Sequence, residues 1–234
     1  MSDVASQLIK IETGDGEMPA HLWLPDGGVG PGIVLVQEIF GVSDYIRGRG
    51  RDLAELGFLV CAPEVYWRLD DREIDESDPK VLSRAIALAQ QVDWPLAVRD
   101  VQAALSHVRG MIEVEGGVRL IGFCFGGGLA FHVASVDDVD VLVSYYGSAL
   151  GNLTHLAGDI DAASLHHFGM ADAFIPAETI ERVRTAVTAH GAQFHTYEGA
   201  NHAFDNPAPA FHHPQASAEA WAITRRFLNE HLPT

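Results

Sequence analysis

The sequence has few cysteines and no long apolar stretch. Only Cys61 and Cys124 occur among its 234 residues, which excludes a disulfide framework and a zinc site built from thiolates alone. No uninterrupted apolar run approaches the roughly 18 residues that a transmembrane helix requires. The first residues also lack a basic segment followed by an apolar one, as a secretory signal would have. We therefore expect a cytoplasmic protein without a membrane span.

The sequence also has few positively charged residues. The chain has 15 Lys and Arg against 32 Asp and Glu, a formal net charge of −17. Such a surface repels phosphate backbones and anionic lipid headgroups, so nucleic-acid and membrane partners are disfavoured. We expect a small-molecule partner and a monomer or small homo-oligomer. An anionic substrate would need a local cluster of positive charge.

The remaining composition is that of a globular protein, with 47% hydrophobic and 20% charged residues. After an opening hairpin, strands and helices alternate, which predicts a mostly parallel central sheet with helices on both faces. We find no linker or repeat and predict a single domain over residues 1–234. The acidic residues 70–80 lack the spacing of a calcium loop and are predicted to form a solvated loop. Strands are predicted at residues 7–12, 18–24, 32–36, 58–62, 118–123, 139–145, 164–168 and 193–197, and helices at 44–57, 80–110 with an interruption near Pro95, 125–136, 177–190 and 215–231.

The most informative motif surrounds Cys124. Residues 122–128 (GFCFGGG) follow an apolar strand and precede a helical segment, which is the G-x-nucleophile-x-G elbow with Cys in place of Ser. Gly122 and Gly126 avoid collisions at a sharp turn that lifts the thiol at a helix N-terminus, where the thiolate is favoured. The N–H of Phe125 could serve as an oxyanion donor. The alternative is an ordinary buried cysteine in a glycine-rich turn.

Two further residues fit the partners that a cysteine nucleophile needs. In enzymes with this elbow, the chain order is nucleophile, acid, histidine, with the last two on loops after later strands. Asp172 follows the strand at 164–168 and His202 follows the strand at 193–197. Alone, Asp172 would be read as a helix N-cap and His202 as a surface histidine. Together with Cys124 they predict a Cys-His-Asp triad.

A carboxylate stands at the end of another buried strand. Glu38 would be costly there without a role or a partner, so we predict that it lies near Cys124. A helix cap or a salt bridge is the alternative. The N–H of Ile39 is the second candidate oxyanion donor, because the loop after this strand supplies that donor in the α/β-hydrolase arrangement.

Taken together, the sequence resembles the dienelactone hydrolase family (carboxymethylenebutenolidase-like proteins). The resemblance rests on residues 37–42 (QEIFGV), 62–66 (APEVY), 122–127 (GFCFGG), 145–147 (YYG), the Asp172 loop with Pro176, and 202–204 (HAF). It implies an α/β-hydrolase fold and hydrolysis of an ester or enol-lactone through an acyl-thioester, with no metal or organic cofactor. It also implies that Glu38 partners the resting Cys124 and helps to form the thiolate.

The residues that would hold the substrate are less well defined. Members of the family hold a substrate carboxylate with arginines, one of them four residues beyond the triad histidine, where this chain has Asn206. Arg84 and Arg68 are the alternative positive charges, and the question of an anionic substrate stays open. The candidate substrate-binding residues are Arg84, Arg68, Phe40, Tyr146 and Asn206.

Two other functions are compatible with the sequence. The chain could be a catalytically silent ligand-binding module on the same fold, although such a module would not need all three triad residues. It could also be a redox protein that uses Cys124. Cys61, however, lies within an apolar strand, so no resolving thiol is evident. A metal site at the adjacent His212 and His213 is disfavoured, since neighbours in an extended chain point to opposite faces.

Overall fold

A computed structural model describes residues 6–231, which contain eight β-strands, seven α-helices and one 3₁₀ helix. The chain divides into two compact units, one ending at Arg119 and one beginning at Leu120. That residues 1–234 form a single domain stays a prediction.

The strands are β1 (Gln7–Thr13), β2 (Gly16–Trp23), β3 (Gly30–Val36), β4 (Leu59–Pro63), β5 (Val114–Phe123), β6 (Val141–Tyr145), β7 (Ala163–Gly169) and β8 (Gln193–Tyr197). The helices are α1 (Asp44–Glu55), α2 (Val81–Ala89), α3 (Trp94–Gly110), α4 (Phe125–Ala134), α5 (Leu150–Leu153), α6 (Ala177–Thr188) and α7 (Pro214–His231), with the 3₁₀ helix at Thr154–Asp159.

In the first unit, the strands lie in the order β1-β2-β4-β3-β5. Strands β1 and β2 form the predicted antiparallel hairpin, β2 also pairs antiparallel with β4, and β4 pairs parallel with β3. Every residue of β3 and β4 is buried, as expected for strands covered on both faces.

Helices cover both faces of this part of the sheet. Trp23 of β2 and Ile33 of β3 both pair with Val60 of β4, so their side chains lie on the same face of the sheet. Trp23 lies against α1, where a Cβ on Gly50 would be 2.8 Å from its ring. Gly32 points to the opposite face because neighbouring strand residues alternate. A Cβ on Gly32 would lie 2.6 Å from Val108 of α3, so α1 and α3 flank the sheet.

The predicted helix at 80–110 is two helices, and the position of the break needs correction. Helix α2 ends at Ala89 and α3 begins at Trp94. Pro95 therefore lies in the first turn of α3, where a missing N–H costs nothing, instead of interrupting a helix. The Asp93 carboxylate caps α3 by accepting the N–H of Leu96 at 3.0 Å.

In the second unit, the order is β5-β6-β7-β8, and β6, β7 and β8 run parallel. Ser144 of β6 faces α4, since a Cβ on Gly127 would be 2.7 Å from its hydroxyl. The next residue, Tyr145, points to the other face and meets Thr224 of α7 at 2.6 Å between hydroxyls. Helices therefore lie on both faces here too. Sequence reasoning missed α5 and the 3₁₀ helix, which are too short for a periodic signal.

No helix between residues 6 and 231 combines the length and the apolar character needed to cross a membrane.

Candidate active site

Cys124 stands at a strained turn between β5 and α4. Its backbone has φ 53° and ψ −115° and forms the N-cap of α4, a conformation that costs a non-glycine residue about 1–3 kcal/mol. A Cβ on Gly122 would lie 2.1 Å from the carbonyl oxygen of Gly126, so the first glycine of the motif is sterically required. The predicted strained elbow is confirmed.

Backbone hydrogen bonds hold this turn in place. The N–H of Cys124 donates to the carbonyl of Tyr145 at 3.0 Å. The Cys124 carbonyl accepts the N–H of Gly127 and of Ser148, each at 3.1 Å. The nucleophile candidate is thereby fixed to α4 and to the segment after β6, and these bonds offset the strain.

The three predicted triad residues lie together in the second unit. The Nδ1 atom of His202 is 2.7 Å from Oδ2 of Asp172, and its Nε2 atom is 3.0 Å from Sγ of Cys124. All three side chains are largely buried, and the Asp172 side chain is fully so. The result is one continuous chain of hydrogen bonds from a carboxylate through an imidazole to a thiol.

The loops that carry the acid and the histidine are tied to each other. Asp172 uses Oδ2 for His202 and Oδ1 for the N–H groups of Phe174 and Ile175, at 2.8 and 2.9 Å. The alternative of a helix cap is wrong, because Pro176 occupies the N-cap of α6.

Asn201 forms the second connection between the loop that carries Asp172 and the loop that carries His202. Its Oδ1 accepts the N–H of Ala173 at 2.9 Å and of His202 at 2.7 Å. Gly169 allows the loops to approach, since a Cβ there would be 2.3 Å from the Ala200 carbonyl. Sequence reasoning gave Asn201 no role, although an Asx residue beside the candidate histidine was an available signal.

The electrostatics of His202 favour its charged form. Burial disfavours the imidazolium, but the negative charge of Cys124 and the hydrogen bonds to Asp172 and Cys124 outweigh burial and raise the pKa of His202 to about 10. A protonated ring donates from Nδ1 to the carboxylate and from Nε2 to the sulfur, so the proton that leaves the thiol has a stable location.

Two aromatic rings contact the His202 imidazole. Tyr146 is fully buried and lies edge-on to it at 5.3 Å between ring centroids; Phe174, which is 55% exposed, makes a similar contact at 5.3 Å. The predicted substrate contact Tyr146 therefore packs on the triad histidine. Phe174 was not singled out from the sequence, because nothing in its local pattern distinguishes it from any loop aromatic.

The predicted residues around β3 lie in the first unit. Glu38 lies just beyond the last residue of that strand, Val36, and is 1% exposed. The Ile39 carbonyl accepts the Tyr66 hydroxyl at 3.0 Å, which fixes this loop. Phe40 lines a cavity of about 450 Å³. Arginines and glutamates line the same cavity, namely Arg47, Arg72, Glu64, Glu73 and Glu76.

The two candidate arginines are both engaged. Arg68 forms two hydrogen bonds with the buried Asp100, at 2.7 and 3.0 Å, and an ion pair with Asp15 at 2.9 Å. Arg84 pairs with Asp71 at 2.8 Å and donates to the Glu73 carbonyl at 2.9 Å. These contacts hold the surrounding loops; substrate binding by either arginine stays a prediction.

Phe125, Asn206 and Cys61 are the remaining positions that the sequence singled out. Phe125 opens α4, so its N–H belongs to the first turn of the helix, which lacks intrahelical acceptors. Asn206 is buried, and its Oδ1 accepts the N–H of Ala208 at 3.0 Å. Burial raises the pKa of the Cys61 thiol to about 12, which makes Cys61 a poor redox partner. Residues 6–231 contain no group of three His, Cys, Asp or Glu arranged to hold a metal ion.

Comparison with known proteins identifies the family. The profile of the "Dienelactone hydrolase family" matches residues 18–232. A carboxymethylenebutenolidase of a Pseudomonas species is 32% identical over 94% of this chain and 93% of its own length, and the carboxymethylenebutenolidase of Pseudomonas putida is 33% identical over 93% of each. A crystal structure assigned to the dienelactone hydrolases, from Klebsiella pneumoniae subsp. pneumoniae, has a TM-score of 0.84 and 27% identity, covering 96% of this chain and 98% of that one. The chain therefore belongs to the dienelactone hydrolase family and is a lactone or ester hydrolase.

Proposed function

We propose that the protein hydrolyses small ester or lactone substrates, including dienelactone-like compounds, through an acyl-thioester on Cys124. His202 is the general base and acid, and Asp172 orients its ring. The observation that carries this proposal is the chain of hydrogen bonds Asp172–His202–Cys124, with distances of 2.7 and 3.0 Å, at a strained elbow.

The reaction divides into two halves. In the first, Sγ of Cys124 attacks the substrate carbonyl while its proton resides on Nε2 of His202. The tetrahedral oxyanion accepts hydrogen bonds from the N–H groups of Phe125 and Ile39. Collapse breaks the C–O bond, and His202 gives its proton to the departing alkoxide. In a lactone, this alkoxide stays attached to the acyl group.

In the second half, water replaces the alcohol. His202 removes a proton from the water as its oxygen attacks the thioester carbonyl, and collapse releases the carboxylic acid and the thiolate. The imidazole needs no rotation between the halves, because the same Nε2 atom serves the sulfur, the alkoxide and the water. The short bond from Nδ1 to Asp172 holds it in that orientation.

We also propose that Glu38 regulates the thiol, as the family resemblance implies. In that role, the buried Glu38 carboxylate accepts a hydrogen bond from the resting thiol and takes up its proton as the thiolate forms. Substitution of Glu38 by Gln removes the charge with little change in volume. We expect it to alter the pH dependence of Cys124 alkylation by iodoacetamide, while the overall fold, measured by circular dichroism, is retained.

The test of the triad is acyl-enzyme formation with p-nitrophenyl acetate. Wild type should release one equivalent of p-nitrophenolate in a burst, and mass spectrometry should find one acetyl group that hydroxylamine removes. Cys124→Ala should abolish both signals, and His202→Asn should slow the burst by about 10²-fold or more. Cys61→Ala is the matched control and should keep both, since Cys61 lies in the interior of β4.

The same experiment separates the two competing functions. A silent binding module would give no burst and no dependence on Cys124. A thiol redox protein would consume peroxide in a Cys124-dependent manner without esterase turnover. Either result contradicts the proposal. We further propose a cytoplasmic enzyme that is a monomer or small homo-oligomer, which fractionation and light scattering would check.

A further inference from the structure

The described chain leaves an aromatic ring exposed at its candidate active site. Phe174 is 55% exposed and is the one aromatic residue among the exposed large hydrophobic side chains of residues 6–231. Isolated exposed apolar residues are common and need no explanation. Phe174 differs because its ring contacts the His202 imidazole, at 5.3 Å between centroids and 61° between planes.

The backbone that carries this ring is held by the same carboxylate that holds His202. Oδ1 of Asp172 accepts the N–H of Phe174 at 2.8 Å, while Oδ2 holds His202 at 2.7 Å. The preceding N–H, that of Ala173, is held by Asn201 at 2.9 Å. The following N–H, that of Ile175, is held by Oδ1 of Asp172 at 2.9 Å. The backbone is thus anchored on both sides of the exposed side chain, unlike the backbone of a mobile surface loop.

Support of His202 does not account for the exposure of Phe174. Tyr146 already packs on the same imidazole and is fully buried, and Asp172 fixes the ring orientation. If Phe174 served only to support His202, burying its ring would contribute more to stability than leaving it exposed. The exposed part of the Phe174 ring therefore remains available to a molecule that reaches His202.

The direction of proton transfer indicates which part of a bound substrate contacts the Phe174 ring. In the proposed function, on which this inference rests, Nε2 of His202 protonates the leaving alkoxide. The alcohol half of the ester must then lie beside the imidazole, and hence beside Phe174. The acyl half is bound to Sγ of Cys124.

We propose that Phe174 is a specificity-determining residue that contacts the alcohol half of the substrate and favours esters of apolar or aromatic alcohols. Contact between two aromatic rings changes binding enough to alter a rate ratio about fivefold. The preference should concern the leaving group alone and leave the preference for acyl groups unchanged.

The test compares benzyl acetate with methyl acetate, since benzyl alcohol and methanol are leaving groups of nearly equal acidity. In Phe174→Ala, the ratio of kcat/KM for benzyl over methyl acetate should fall about fivefold. The ratio for methyl butyrate over methyl acetate should stay as in wild type. Phe174→Tyr should restore the benzyl preference, and Val136→Ala, at another exposed apolar residue of the same unit, should change neither ratio.

The outcomes distinguish the proposals. An equal loss of kcat/KM for all esters in Phe174→Ala would mean that the ring only supports His202, and unchanged ratios would mean that it contacts no substrate; both overturn the inference alone. A wild-type protein that turns over no ester and forms no acyl-enzyme overturns the proposed function as well. Phe174→Leu, which keeps an apolar side chain, should lie between wild type and Phe174→Ala and serves if the alanine variant unfolds.

Discussion

Replacement of Asp172 by Asn separates the two tasks of this carboxylate. In wild type, Oδ1 accepts the N–H groups of Phe174 and Ile175, and Oδ2 accepts Nδ1–H of His202. An asparagine has one oxygen and one NH₂ group. If its oxygen serves the loop amides, its NH₂ group faces Nδ1 and forces the neutral imidazole to carry its proton on Nε2. That tautomer cannot accept the proton of the Cys124 thiol.

The opposite orientation of the amide is no better for the fold. It would present an oxygen to His202 but place NH₂ against the two loop N–H groups, with the loss of two hydrogen bonds at about 1 kcal/mol each. The first orientation should therefore dominate. The loss of this charge-assisted hydrogen bond, about 1.5–3 kcal/mol, and the NH₂ group that faces Nδ1 both lower the pKa of His202 and favour the neutral ring.

The expected result is a large loss of activity in a stable protein. We expect kcat/KM for p-nitrophenyl acetate to fall about 10²- to 10⁴-fold, the range of general acid–base catalysis; the equivalent change in a serine protease triad lies at the upper end, about 10⁴-fold. The melting temperature should fall by about 3–12 °C, the equivalent of the roughly 1.5–3 kcal/mol lost with the bond to His202; the loop N–H groups add nothing to this fall because their acceptor is kept. Asp172→Ala is the contrasting variant. It leaves the loop N–H groups without this acceptor and should cost a further 1–3 kcal/mol, or roughly that much again in the melting shift.

Burst kinetics would measure the loss of activity, and thermal melts would measure the loss of stability. The rate of iodoacetamide alkylation across about pH 5–10 would report the change in the pKa of His202. Activity of Asp172→Asn within about threefold of wild type, set against the 10²- to 10⁴-fold loss expected, would contradict the proposal that the Asp172 carboxylate sets the tautomer of His202. An Asp172→Asn protein as unstable as Asp172→Ala would also contradict it, because the amide oxygen should replace Oδ1 of the carboxylate as acceptor of the loop N–H groups.

Three other predictions follow from individual contacts. Gly122→Ala places a Cβ 2.1 Å from the Gly126 carbonyl and should cost about 1–3 kcal/mol and most of the burst; wild-type values in urea melts and burst assays would contradict this. Arg68→Ala removes the main ionic partner of the buried Asp100 and should lower the free energy of unfolding by about 2–4 kcal/mol in urea melts. Lys10→Ala, at the exposed pair with Glu17, should lower it far less. Burial lowers the pKa of His166 to about 3, so below pH 6.5, the ordinary value, the unfolded chain takes up a proton that the folded chain does not. Stability should therefore fall by about 3 kcal/mol through this residue between pH 7 and pH 4, and urea melts of His166→Leu should lack that part of the loss.

The proximity of the three proposed triad residues could be predicted because local sequence determines the turn and the loops that carry them. The glycines of the elbow are needed within a few residues of Cys124, and the Gly122 contact is a consequence of that spacing. Cys124, Asp172 and His202 each follow a strand, and parallel strands end at one edge of a sheet, which predicts that the three residues lie close together. These constraints act along the chain, so a single sequence carries them.

The residues that sequence reasoning missed depend on contacts between distant segments. Asn201 matters because Ala173, on another loop, needs an acceptor for its N–H. Phe174 matters because His202 lies beside it. Arg68 drew attention as a charge, but its partner Asp100 lies on α3 and only the folded structure pairs them. No periodicity or motif encodes such pairs.

Backbone strain is concentrated where the chemistry is proposed. Among residues 6–231, the non-glycine residues with positive φ are Cys124, Tyr146 and Ala203, at 53°, 38° and 56°. The first carries the thiol, the second packs on the imidazole, and the third follows His202. At a cost of about 1–3 kcal/mol each, such conformations persist only where other contacts fix them. The 2.7 Å bond from the Tyr146 N–H to the His167 carbonyl is one such contact. Strain held this way fixes the separation of sulfur and imidazole before a substrate arrives, which is what a nucleophile and base that act as one unit require.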